Sequence, residues 1–193
     1  MTIQGLAGGK KSRQSGITLL EVLISMVVLT IGLVGMLSVL GVTIKATQAS
    51  QENSVAKTVA DEALESILTA RETTTVPWSA IANTGSGGIF LSGYQPVCNA
   101  GADGIYGTAD DCASGEQTLQ LPGPDGIFGT ADDVFMPLTN YTRTITITEA
   151  IGPPPLSQPI PELNVVTIVV TYQNPQVKVQ QNYTLNTYIS EYR

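Results

Sequence analysis

A run of apolar residues from position 17 to position 44 constrains this chain more than any other part of the sequence. It reads ITLLEVLISMVVLTIGLVGMLSVLGVTI, so that leucine, valine, isoleucine and methionine occupy every side of the helix it would form. At about 1.5 Å per residue that helix would be about 42 Å long, which exceeds the roughly 30 Å of hydrocarbon in a bilayer. We therefore predict a membrane-spanning helix over residues 17–44.

The segment before this run has the opposite character. Residues 1–16 are polar and glycine-rich, and their only charged side chains are those of Lys10, Lys11 and Arg13. Because cations flanking a membrane helix stay in the cytoplasm, the rest of the chain is expected on the far side. An ordinary secretory signal has a shorter apolar stretch that is followed by a small-residue cleavage site, and neither is found here.

Glu21 lies inside the apolar run. A charge at the centre of a membrane helix costs at least about 2.5 kcal/mol on insertion scales, so it usually has a partner or a function. A plain signal anchor would explain the length and orientation of the run. It gives no reason for the carboxylate.

Residues 16–23, GITLLEVL, resemble the processing motif of type IV prepilins and type II secretion pseudopilins. The resemblance implies that a prepilin peptidase removes the leader, residues 1–16, by cutting after Gly16. It also implies that the new amine of Ile17 is methylated, and that Glu21 neutralises an N-terminal amine during assembly. Ile17 departs from the family, in which phenylalanine is most usual at this position.

Residues 27–36, VVLTIGLVGM, resemble the minor pilins of the PilV type. The implied function is a minor subunit of a type IV pilus, and the alternative within the same resemblance is a type II secretion pseudopilin. The implied partners are other pilin subunits, the pilus assembly platform and the prepilin peptidase. The implied location is the bacterial inner membrane, crossed once with the N-terminus cytoplasmic, and then the pilus, cell surface or periplasm.

Residues 45–73 are amphipathic. Apolar residues recur there at helical spacing, namely Val55, Val59, Ala60, Ala63, Leu64, Ile67 and Leu68. This period predicts that a single helix of more than fifty residues continues from the membrane segment and lies on a sheet. The alternative is two helices joined near Gly41.

Residues 74–193 are predicted to form a β-rich head. Residues 141–150, 164–173 and 176–189 favour strands, whereas residues 76–138 are expected to be mostly loop. The predicted fold class is α+β, a long N-terminal helix packed on a small antiparallel sheet of three or four strands, as in pilins.

Cys98 and Cys112 are the only cysteines. They lie in a loop rich in glycine and aspartate, at a spacing that fits no zinc or redox motif. We predict a disulfide between them, formed outside the cytoplasm; free thiols are the alternative.

The loop region 98–134 contains an internal repeat. DGIYGTADD at residues 103–111 recurs as DGIFGTADD at residues 125–133. Carboxylates around a glycine turn are typical ligands for calcium, although the spacing is not that of an EF-hand. The predicted calcium ligands are Asp103, Asp110, Asp111, Asp125, Asp132 and Asp133. The alternative is that these residues only form turns.

Charge and composition exclude some functions. The net charge is −7, so binding to nucleic acid is not expected. Histidine is absent, and neither a nucleophile-base pair nor a phosphate-binding loop is found, so we do not expect an enzyme. No cofactor is expected except the calcium of the repeats. A membrane-anchored, calcium-dependent adhesion module is the alternative of a different class.

Overall fold

The computed structural model describes residues 18–155, 157–173 and 179–192. The chain forms two compact units, Met1–Thr47 and Gln48–Arg193. The predicted cleavage site between Gly16 and Ile17 lies outside the described residues.

One helix, α1, extends from Leu19 to Glu72 and contributes to both units. It begins where the Thr18 hydroxyl accepts a hydrogen bond from the Glu21 amide at 3.3 Å. A glycine within a helix costs about 1 kcal/mol relative to alanine, which does not interrupt a helix of this length at Gly41. The prediction of one helix of more than fifty residues is confirmed, because α1 has 54.

The part of α1 in the first unit carries the apolar run. Almost all of its side chains are exposed, and α1 is long and apolar enough to cross a membrane. Its few hydroxyl groups donate to backbone carbonyls within the helix: Ser25 to Glu21, Thr30 to Val27, Ser38 to Val34 and Thr43 to Val39. These groups therefore need no water, which suits a helix surrounded by lipid.

The described residues of the second unit form six strands. They are β1 Gln95–Pro96, β2 Thr118–Leu121, β3 Val134–Pro137, β4 Tyr141–Ile151, β5 Pro159–Gln173 and β6 Gln180–Ser190. Four of them form an antiparallel sheet in the order β1-β4-β5-β6, and β2 and β3 form a separate antiparallel pair. The predicted α+β class and the number of strands in the main sheet are confirmed.

Three details differ from the predictions. Residues 76–138 contain β1, β2, β3 and two short 3-10 turns, so this region is less irregular than expected. Strand β5 begins at Pro159 rather than at residue 164, because a bulge between Glu149 and Ala150 shifts the register and lets Ile151 pair with Pro159. Strand β6 begins at Gln180 rather than at residue 176; residues 174–178 lie outside the described residues.

The core of the second unit lies between α1 and the main sheet. Alanines of α1 line its helical side, and β-branched residues of β4 and β5 line the other. Because alanine side chains are short, the helix backbone can approach the sheet closely. Burying each isoleucine or valine stabilises the fold by about 1.5–3 kcal/mol. The fully buried members of this core include Ala56, Ala60, Ala63, Ile67, Val166, Ile168 and Val170.

Candidate functional site: the N-terminal helix and a duplicated loop

Glu21 lies in the first turn of α1 and is exposed. Its amide donates to the Thr18 carbonyl at 3.0 Å as well as to the Thr18 hydroxyl. Thr18-Leu19-Leu20-Glu21 has the spacing of a capping box, which the sequence interpretation overlooked. The carboxylate is therefore placed at the positive end of the helix dipole.

The surface around Glu21 is aliphatic. Leu19, Leu20 and Leu23 are 84%, 68% and 55% exposed. Further along, a Cβ added at Gly32 or Gly35 would meet no other atom within 4 Å. Such a surface suits either lipid or the close approach of another apolar helix.

The disulfide between Cys98 and Cys112 is confirmed, with the two Cα atoms 4.9 Å apart. It closes the chain around the first copy of the repeat. Cys98 is buried, and its backbone forms an isolated antiparallel bridge with that of Glu116. The first loop is therefore fixed at both ends.

Hydrogen bonds within the first copy define its shape. Asp103 Oδ1 accepts from the Ile105 amide at 2.8 Å. Asp111 Oδ2 accepts from the Gly107 amide at 2.7 Å. Thr108 donates its hydroxyl to an oxygen of Asp110 at 2.7 Å. The aspartates thus organise the backbone of their own loop.

The second copy has the same hydrogen bonds. Asp125 Oδ1 accepts from the Ile127 amide at 2.8 Å, and Asp133 Oδ2 accepts from the Gly129 amide at 2.7 Å. The Thr130 hydroxyl donates to Asp132 at 2.6 Å. The sequence repeat is therefore also a structural repeat.

The structural repeat begins two residues earlier than the sequence repeat indicates, at Gly101 and Gly123. A Cβ at Gly101 would collide with the carboxylate and backbone of Asp110, and one at Gly123 would collide with those of Asp132. Both copies therefore begin Gly-x-Asp-Gly, a signal that is visible in the sequence but was not used.

The two copies lie in different surroundings. Ile105 is 3% exposed and the Tyr106 amide donates to the Ser66 hydroxyl of α1 at 3.3 Å, so the first copy packs into the core. In the second copy Ile127 is 60% exposed and Phe128 is 63% exposed.

Arg143 of β4 contacts the first copy. Its side chain is 1% exposed, its Cζ lies 4.7 Å from the centroid of the Tyr106 ring, and its Nη2 lies 3.6 Å from Asp111 Oδ2. Its three guanidinium nitrogens make no hydrogen bond within the described residues. The charge is therefore held by an ion pair and an aromatic face. The sequence signal was its position two residues before Ile145, on the inward face of β4.

Burial and hydrogen bonding shift the pKa values of several aspartates in the two copies. Burial raises the pKa of Asp111, although the Gly107 amide and Arg143 act in the opposite direction. The Thr108 hydroxyl lowers the pKa of Asp110, and the Thr130 hydroxyl does the same for Asp132. The carboxylates of Asp110 and Asp132 are thus negatively charged at neutral pH.

Within each loop, the predicted aspartates accept hydrogen bonds from nearby backbone amides and a threonine hydroxyl. Among the described residues, no three side chains of aspartate, glutamate, cysteine or histidine form a group that could hold a metal ion. Arg143 already supplies the positive charge beside Asp111 in the first copy. Calcium binding by the six predicted aspartates stays a prediction.

Residues 11–37 match a family model, the prokaryotic N-terminal methylation motif. This motif is the signal of type IV pilins and pseudopilins, and the match covers the predicted cleavage site, Glu21 and much of the apolar run. The chain matches no curated protein and no solved structure. Motif, apolar helix and antiparallel sheet together support a type IV pilin-like or pseudopilin-like protein.

Proposed function

We propose that this chain is a minor subunit of a type IV pilus. It is made as a precursor, cleaved after Gly16, methylated on the amine of Ile17, and assembled into a filament through α1. The observation that carries the proposal is the methylation motif at residues 11–37, which coincides with the start of an exposed apolar helix. The head then lies outside the cytoplasm, in agreement with its disulfide.

Glu21 provides the assembly contact in this proposal. A carboxylate surrounded by aliphatic side chains is costly unless a cation neutralises it. The methylated amine of Ile17 on a neighbouring subunit would be that cation. The exposed leucines around Glu21 support this role, because packing them against other helices removes the carboxylate from water.

The finer assignment to the PilV type rests on residues 27–36 alone. A type II secretion pseudopilin would share the same N-terminal motif and the same helix. Two observations distinguish them. A pilus subunit is recovered from sheared surface filaments, whereas a pseudopilin is needed for the export of folded substrates.

The proposal can be tested by intact-protein mass spectrometry on the chain from its native membrane. We expect the mass of residues 17–193 plus one methyl group, with a two-proton increase on reduction. Gly16→Leu should leave the full-length mass. A full-length, unmethylated wild-type chain, in cells that process other prepilins, would refute the proposal.

The role of Glu21 needs a separate variant. Glu21→Gln should be cleaved and inserted normally but should be strongly depleted from sheared filaments. Glu65→Gln, which changes an exposed carboxylate in the later part of α1, is the matched control and should assemble like the wild type. Normal incorporation of Glu21→Gln would remove the proposed contact while leaving the processing result intact.

A further inference from the structure

Among the described residues, no arginine contacts the second copy of the loop as Arg143 contacts the first. In the first copy, the aromatic ring of Tyr106 and the carboxylate of Asp111 hold the guanidinium of Arg143. Phe128 and Asp133 occupy the equivalent positions in the second copy, within the same hydrogen-bonded backbone. The chain itself thus shows what this arrangement of side chains binds.

In the second copy, a neutral side-chain amide lies beside the carboxylate of Asp133. The Gln120 amide donates to Asp133 Oδ2, the oxygen that corresponds to the one facing Arg143 in the first copy. A glutamine orients the carboxylate but leaves its negative charge in place. A carboxylate has about four acceptor positions, so Asp133 can still accept from a guanidinium.

The side chains around this position are apolar and exposed. The Phe135 side chain of β3 is 59% exposed, in addition to Ile127 and Phe128, and it pairs with Gln120 on the same face of the strand pair as Asp133. An exposed apolar surface of this kind, bordered by charges, is typical of a protein interface. We call Ile127, Phe128, Asp133 and Phe135 the second-loop face.

We propose that the second-loop face binds an arginine-bearing surface of a different protein subunit of the same filament. The arginine stacks on Phe128 and pairs with Asp133, as Arg143 does within the first copy. Cation–π stacking and ion pairing strengthen each other when apolar neighbours exclude water. This inference rests on the proposed function, because that function supplies the neighbouring subunits.

Charge argues against a second copy of this chain as the partner. The net charge is −7, and the aspartates of the second loop would repel another acidic head.

The test is photo-crosslinking in cells that assemble filaments. A benzophenone amino acid replaces Ile127 in the full chain, next to the intact Phe128, and a second strain carries it at Tyr94, which is 71% exposed elsewhere on the head. We expect a crosslink from position 127 to a different filament subunit, with an arginine in or beside the linked peptide. We expect no crosslink to that subunit from position 94.

Substitutions on the second-loop face then test the contact. Phe128→Leu and Asp133→Asn should each lower the crosslink yield about tenfold, whereas Phe128→Tyr, which restores the residue of the first copy, should keep it. Asp61→Asn removes an exposed charge on α1 and should have no effect.

Each other outcome overturns the inference. A crosslink to a second copy of this chain, a yield that is the same in Asp133→Asn, or no crosslink from a processed and incorporated chain would refute it without affecting the proposed function. A chain that is never cleaved and never enters filaments would refute both.

Discussion

The Nη2 atom of Arg143 lies 3.6 Å from Oδ2 of Asp111, in a side chain that is only 1% exposed. An ion pair buried to this extent gives little net stability relative to apolar residues of the same volume, but removing one partner leaves the other charge uncompensated. The first loop is therefore tied to β4 by an ion pair, and the disulfide joins the two ends of the loop.

Asp111→Asn should destabilise the head by about 3 kcal/mol, the lower end of the range for broken buried pairs, because the buried guanidinium loses its counter-charge while the burial that raises the pKa of Asp111 no longer opposes a carboxylate. The asparagine oxygen can still accept from the Gly107 amide, so the charge is the main difference. The free energy of unfolding in urea measures the effect. Glu72→Gln is the control, since it removes an exposed ion pair and should cost about 1 kcal/mol or less. A similar small cost for Asp111→Asn would contradict our account of the pair.

Gly101→Ala should destabilise the head by about 2 kcal/mol or more, because the new methyl group collides with Asp110. Gly123→Ala disturbs the equivalent contact in the exposed copy, which can move without disrupting the core, so its cost should be smaller. Gly85→Ala is the control, since a Cβ there meets no atom within 4 Å. Chemical denaturation of the three variants gives the comparison. Equal costs for all three would contradict the structural repeat.

Alkaline titration should show a late step from Tyr141. Burial, the nearby Glu52 and the adjacent Tyr172 raise the pKa of Tyr141 to about 12. An unfolded tyrosine ionises near pH 10, so the stabilising contribution of the neutral phenol is present below about pH 10 and is lost as the pH rises to about 12. Absorbance near 295 nm follows the ionisation. The pKa of Tyr172 is also raised by burial and by Glu52, so Tyr141→Phe should reduce the late absorbance change by one tyrosine, and an unchanged late step would contradict the assignment.

Sequence reasoning succeeded where the signal was local and periodic. The apolar run and the later recurrence of Val59, Ala63 and Ile67 predicted one helix, and the alternation in residues 141–150 predicted β4. The recurrence in the later helix and the alternation in β4 depend only on which side chains face the core. The disulfide was also predictable, because two cysteines in a chain with a membrane signal leave one possible intramolecular pair.

The rest depended on contacts between distant segments. Arg143 looked like a polar residue of a half-exposed strand, because its partners lie more than thirty positions away in the first loop. The pair β2 and β3 was missed since four-residue strands are too short for a periodic pattern. The start of β5 was missed because Pro159 and Pro161 weaken the strand signal there, although a proline is tolerated at the first residue of a strand. Gly16 and Ile17 lie outside the described residues, so their roles stay predictions.

The aspartate and threonine hydrogen bonds that shape residues 101–111 and 123–133 lie within each copy, so the loop can be inserted as a unit. Its backbone is held by its own aspartates and threonine, so a further copy could be added to the head without changing the register of the main sheet. The cost of such an addition is mainly the slowly growing entropy of a longer connection. A head built in this way can acquire new surface by duplication, because the first copy holds its arginine within the core while the second presents the same arrangement at the surface.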